Sequence, residues 1–111
     1  MVEPEINLED FQKIDLRVGR IVQAERVEDT RALIRLLVDL GEEERTLVAG
    51  LAPYYSPEEL VGKKIVVLVN LKPANIRGIK SQGMLLAADD GAGNVSLLTL
   101  DRDLTPGSKV R

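Results

Sequence analysis

The sequence predicts a small all-β barrel, and three features carry the prediction. Many short apolar segments alternate with turn residues, helical periodicity is scarce, and one long extended segment is interrupted by a glycine, as a strand bent around a barrel should be. With 111 residues and 44% hydrophobic content the chain can bury one core but not two, and it contains no repeat, low-complexity tract or Pro/Gly/Ser-rich linker. Residues 1–111 therefore read as a single domain.

The elements follow in order. Residues 7–14 predict a short helix: Asn7 can cap, Glu9 and Asp10 suit a first turn, and Leu8, Phe11 and Ile14 share a face that needs a partner. Residues 15–27 predict the long strand, with Leu16, Val18 and Ile21 apolar, Arg17, Arg20 and Gln23 polar, and a bend or bulge at Gly19. Residues 33–40 and 45–49 predict two more strands around the charged turn Gly41-Glu42-Glu43-Glu44, which makes a meander. Ser56-Pro57-Glu58-Glu59-Leu60 carries a cap, a proline at the first helical position and early acids, with Gly62 closing a one-turn helix. Residues 65–69 are almost purely apolar, as in a strand buried on both faces. Residues 70–83 read as a polar loop, 84–88 as a strand, 89–94 as a turn and 95–100 as the second arm of a hairpin.

Composition excludes much chemistry. The chain has no cysteine and no histidine, which removes disulfides, zinc fingers, thiol nucleophiles and histidine-based triads together. No glycine-rich phosphate loop occurs, and Asp89-Asp90-Gly91 lacks the alternating acids and closing glutamate of a calcium loop. No catalytic residue, metal or cofactor is expected, and the chain is not expected to be an enzyme. No run approaches the roughly 18 apolar residues of a membrane helix. The start Met1-Val2-Glu3-Pro4-Glu5 lacks the layout of a signal peptide. The expectation is a soluble cytoplasmic protein with no membrane partner, and Met1 favours an independent chain.

Charge points further. A net charge of −3 argues against a nucleic-acid partner, yet no acid lies between Glu59 and Asp89, while Lys63, Lys64, Lys72, Arg77 and Lys80 do. Phe11, Tyr54 and Tyr55 are the only aromatic rings, too few for a binder that stacks successive bases, and Pro53 and Pro57 frame the tyrosines as a packed turn. Within residues 70–84, the side chains of Asn70, Lys72, Asn75, Arg77, Lys80, Ser81 and Gln82 are of the kinds that reach phosphate and 2′-hydroxyl oxygens, and Gly78 and Gly83 allow close backbone approach. On these residues alone, an ordinary surface loop with scattered solvated charges accounts for the segment equally well.

Five ordered motifs add a resemblance: Asp15-Leu16-Arg17-Val18-Gly19, Ala24-Glu25-Arg26-Val27, Val48-Ala49-Gly50, Asn70-Leu71-Lys72-Pro73 and Ser81-Gln82-Gly83-Met84. Together they resemble the tRNA-binding domain appended to methionyl-tRNA synthetases and found as free-standing structure-specific tRNA-binding proteins, over about residues 8–110. The resemblance implies an OB-fold five-stranded barrel with a short N-terminal helix, a one-turn helix between strands 3 and 4, and terminal extensions used for dimerisation. It implies a homodimer that grips the outer corner of tRNA by shape, with the catalytic domain of methionyl-tRNA synthetase as a further possible partner. On that analogy Asn70, Lys72, Arg77, Ser81, Gln82 and Met84 lie at or near the RNA surface, where Asn75 and Lys80 of the same segment are expected to join them, and Leu8 and Phe11 help join the subunits. Where relatives usually carry a lysine before the second strand's leucine pair, this chain has Ala32, so Arg31 or Arg35 is expected to supply that phosphate contact. Relatives of the barrel also serve in export and signalling, which leaves a protein-binding, export-chaperone-like dimer as the alternative.

Overall fold

A computed structural model describes residues 2–111. Four strands, β1 (Leu16–Arg26), β2 (Ile34–Asp39), β3 (Glu44–Ala49) and β4 (Lys64–Leu68), form most of an antiparallel barrel. Hairpin strands β5 (Ala74–Ile76) and β6 (Ile79–Ser81) pair with each other, and β7 (Met84–Leu85) adds to β4 and lies against β3, so that the sheet β3-β2-β1-β4-β7 nearly closes on itself. Strands β8 (Ala87–Asp89) and β9 (Val95–Leu97) make a separate hairpin, and β10 (Lys109–Val110) returns to β1. This is the OB-fold architecture the sequence and the resemblance predict.

The long strand β1 organises the barrel because its two halves serve different partners. Residues 20–26 pair with β2, residues 16–20 with β4, and the edge left open beside Leu16 and Arg17 takes β10. The irregularity expected at Gly19 lies elsewhere: the β1–β2 register shifts between Ile21 and Gln23, so Val22 is the extra residue of a bulge. Gly19 serves close packing instead, since a Cβ there would come within 2.5 Å of Val38 Cγ1.

The core is aliphatic. Ile21, Ile34, Leu36, Val38, Leu47, Leu60, Ile65 and Val67 are buried within it, each contributing about 1.5–3 kcal/mol of transfer free energy. Strand β4 is buried on both faces at Ile65, Val66 and Val67, as expected. Helix α2 (Pro57–Leu60) closes one end of the barrel with Leu60. Its capping box is complete, for the Ser56 hydroxyl accepts from the Glu59 amide at 3.3 Å and the Glu59 carboxylate accepts from the Ser56 amide at 3.0 Å. Tyr55 beside it packs on the core and its hydroxyl accepts from the Leu97 amide, while Tyr54 stays exposed.

Helix α1 (Leu8–Gln12) is shorter than the segment that predicts it. Asn7 has the extended backbone of a cap but its side chain makes no capping bond, and none of the helix residues is buried.

Candidate nucleic-acid interface

The segment after β4 is not the plain loop its polarity suggests. Residues 74–81 form the β5–β6 hairpin, joined by Arg77 and Gly78 with φ of +54° and +82°. Two successive left-handed residues make the turn whose twist matches paired strands, and the Asn75 side-chain oxygen accepts from the Gly78 amide at 2.8 Å to hold it. Strand alternation gives the hairpin two faces. Ile76 and Ile79 are half-buried and Ser81 is buried, whereas Asn75 and Lys80, directly paired across the strands, are exposed, and Arg77 projects at the tip. Lys72 lies exposed just before the first arm.

Lys72, Arg77, Lys80, Arg31 and Lys63 have no ion-pair partner among the described residues. Lys64 leaves the basic group that the sequence outlines, because its ammonium bonds the Asp103 carboxylate and the Leu104 carbonyl. Arg35 on β2 faces Glu25 at 3.9 Å with both side chains well exposed, a pair worth less than about 1 kcal/mol and easily exchanged for a phosphate.

Several expected contact residues are committed within the protein. The Ser81 hydroxyl accepts from the Val48 amide at 3.0 Å and donates to the Gly83 carbonyl, so its side chain faces inward instead of toward a ligand. Asn70 is exposed, but its amide donates to the Lys13 carbonyl at 2.6 Å and its oxygen accepts from the Asp15 amide at 2.9 Å, stapling the segment to the end of α1. The Gln82 backbone amide donates to the Thr46 carbonyl at 2.8 Å and its side-chain oxygen accepts from the Thr46 amide at 3.5 Å, a weak hold that leaves its side-chain NH2 without a protein partner among the described residues. Gly83, at φ +142°, sits where a Cβ would meet the Leu68 carbonyl at 2.8 Å, so its close approach is to β4 and not to a ligand. Met84 remains exposed at the start of β7.

The hairpin lies against β3, at one edge of the barrel sheet. Cross-strand neighbours run Glu25 to Arg35, Arg35 to Val48, and through the Val48–Ser81 hydrogen bond to β6. Along these strands lies an open groove of about 550 Å³ lined by Gln23, Glu25, Arg35, Leu37, Thr46 and Val61. Arg31 stands in the loop between β1 and β2. The structure therefore places Arg35, Asn75, Arg77 and Lys80 on connected elements, while Asn70, Leu8 and Phe11 belong to the α1 end. Sequence reasoning missed Gln23 and Thr46 as groove residues, although the outward positions of alternating strands were available to find them. At the far end of β1 the Arg17 guanidinium, hydrogen-bonded to Asp15, holds that carboxyl below the usual carboxylate range and also reaches the Gly107 carbonyl.

A nearly closed OB barrel with an open groove, and with exposed cations that have no ion pair among the described residues, belongs to a class of binding modules that present ligands to the strand 2–3 face and adjoining loops. Comparison with known proteins narrows the class. The family model described as "Putative tRNA binding domain" matches residues 16–109, and the chain belongs to that family. It is 54% identical to the methionine–tRNA ligase of Methanocaldococcus jannaschii over 96% of this chain, but it spans only 16% of that ligase's length. Among solved structures it resembles a MetRS-related protein from Pyrococcus horikoshii, with a TM-score of 0.93, 40% identity, and coverage of 98% of this chain and 100% of that one. It also resembles the chaperone CsaA of Bacillus anthracis, with a TM-score of 0.89, 36% identity, and coverage of 97% and 100%. Among the described residues no helix is long and apolar enough to cross a membrane.

Proposed function

We propose that the chain binds folded tRNA by shape, as a cytoplasmic homodimer, and serves methionyl-tRNA synthetase in cis or in trans by raising the local concentration of its substrate, without catalysis of its own. The observation that carries this reading is the two-faced hairpin, which exposes Lys80 and Arg77 with no ion-pair partner among the described residues. Cations of this kind supply the sequence-independent term of nucleic-acid binding, and the scarcity of aromatic rings argues for backbone and 2′-hydroxyl contacts over base stacking. Arg31 or Arg35 is assigned the phosphate contact that the resemblance places at the Ala32 position, Arg35 by exchanging its exposed pair with Glu25. Asn75, Lys72 and Met84 complete the contact set, and Gln82 contributes from the hairpin's base. Leu8 and Phe11 are assigned to the subunit contact, because a short helix with no buried residue cannot be held by its own packing.

A second reading is favoured by the CsaA likeness, namely an export-chaperone-like dimer that takes peptide on the same barrel. A competition titration separates the two: intact tRNA is expected to displace labelled tRNA at least tenfold more effectively than single-stranded RNA of equal length, and unfolded peptide is expected not to displace it. Peptide competing as well as tRNA overturns the RNA assignment.

A further inference from the structure

The basic segment has two feet, Val69 and Gln82, and one side chain joins them. The β4–β7 ladder ends at the pair Leu68 and Met84, so the carbonyls just beyond it have no strand partner. Arg45, near the start of β3, donates from Nη1 to the Val69 carbonyl at 2.6 Å and to the Gln82 carbonyl at 3.2 Å, while its Nε bonds the Glu43 carboxylate. A guanidinium presents its donors in a rigid planar fork, which satisfies two converging carbonyls and a carboxylate at once; an ammonium is a point donor on a flexible stem and fixes that geometry less well. The side chain is 26% exposed, so the bonds are partly shielded from water. Elsewhere the feet are held separately: Val69 donates to the Asp15 carbonyl on the β1 side, and Gln82 and Ser81 bond Thr46 and Val48 of β3.

We propose that Arg45 is a positioning residue for RNA recognition: anchored on Glu43, it fixes the angle at which residues 70–81 present Lys72, Arg77 and Lys80, without touching RNA itself. The lever is long. Five residues of extended chain separate Gln82 from Arg77, about 16 Å at the usual strand rise, so a tilt of about 10° at the base displaces the tip by about 3 Å. A charge-assisted hydrogen bond to phosphate is broken by a displacement of that size unless the long side chain re-extends, which costs rotamer freedom and weakens the contact. The proposal rests on the tRNA-binding reading for its consequence, though the clamp itself is readable without RNA.

The test compares wild type with Arg45→Met and Arg45→Lys in two measurements. Amide hydrogen exchange of the free protein is expected to quicken about tenfold at Ile79–Ser81 in R45M, with the β1–β2 amides unchanged, and to be partly restored in R45K. Binding of tRNA across a salt series, well below the melting temperature, is expected to weaken about tenfold in R45M with the slope of log K against log salt unchanged. Unaltered exchange in the hairpin overturns the clamp. A slope reduced by about 0.9 also overturns it, by making Arg45 a phosphate contact. Should R45M fail to fold, Glu43→Gln removes the anchoring charge and is expected to loosen the same amides; unaltered exchange there is equally contrary. Absence of tRNA binding by wild type would defeat the functional reading, and the exchange measurement would still decide the clamp.

Discussion

A double variant, Leu8→Ser with Phe11→Ser, is expected to migrate as a monomer and to lose tRNA affinity by about a hundredfold or more. In the single chain Leu8 is 69% exposed and contributes little to the barrel, whereas Phe11 is 38% exposed and its loss is expected to lower the melting temperature somewhat, so binding is compared well below the transition of the variant. On the proposed subunit contact, their main cost is expected to fall on association. If two hairpins engage one RNA, joining them makes the second contact intramolecular, and such linkage raises overall affinity by about 10²–10⁴. Size-exclusion chromatography with light scattering at micromolar concentration gives the oligomeric state, and a filter-binding titration gives the affinity. A monomer that binds as tightly as wild type would separate dimerisation from RNA binding, and an intact dimer would remove α1 from the interface.

The second large effect concerns the exposed cations. Replacing Lys72 and Lys80 by alanine and Arg77 by asparagine is expected to lower tRNA affinity by about a hundredfold or more at moderate salt, from hydrogen bonds to charged groups worth about 1.5 kcal/mol or more each. Asparagine is chosen at position 77 because φ is +54° there, a conformation it tolerates better than alanine. The slope of log K against log salt should fall by about 2 to 3, at somewhat under one unit per lost phosphate contact. The melting temperature should stay close to wild type, since none of the three has an ion pair among the described residues. A comparable loss of affinity with an unchanged slope would mean that the hairpin had been deformed and not discharged.

Features set by neighbouring residues are legible in the sequence, and those set by residues distant along the chain are not. The one-turn helix at residues 57–60 was legible because its signature, Ser56 with Pro57 and Glu59, lies within the turn it caps. Strand β4 was legible because burial on both faces leaves an unbroken apolar run. The purpose of Gly19 was hidden, since the atom that forbids a side chain there comes from Val38 on another strand. The β5–β6 hairpin is not legible because its arms are three residues each and its turn is Arg77-Gly78 instead of the more telling Asn-Gly or Asp-Gly. That hairpin decides which residues face outward: the period of two sends Lys80 to the surface and turns Ser81 inward, a distinction invisible while the segment reads as loop. The role of Arg45 is not legible in the sequence, because the carbonyls it joins lie 24 and 37 positions away.

Chemical-shift mapping of the isotopically labelled protein during titration with intact tRNA tests the central claim most directly. The account predicts that the largest changes cluster at residues 72–80 and spread to Arg35 and Thr46 on the adjoining outer face, while the acidic turn at Asp89 and Asp90 stays unmoved. Changes centred on that acidic turn, or a hairpin left undisturbed by saturating tRNA, would contradict it.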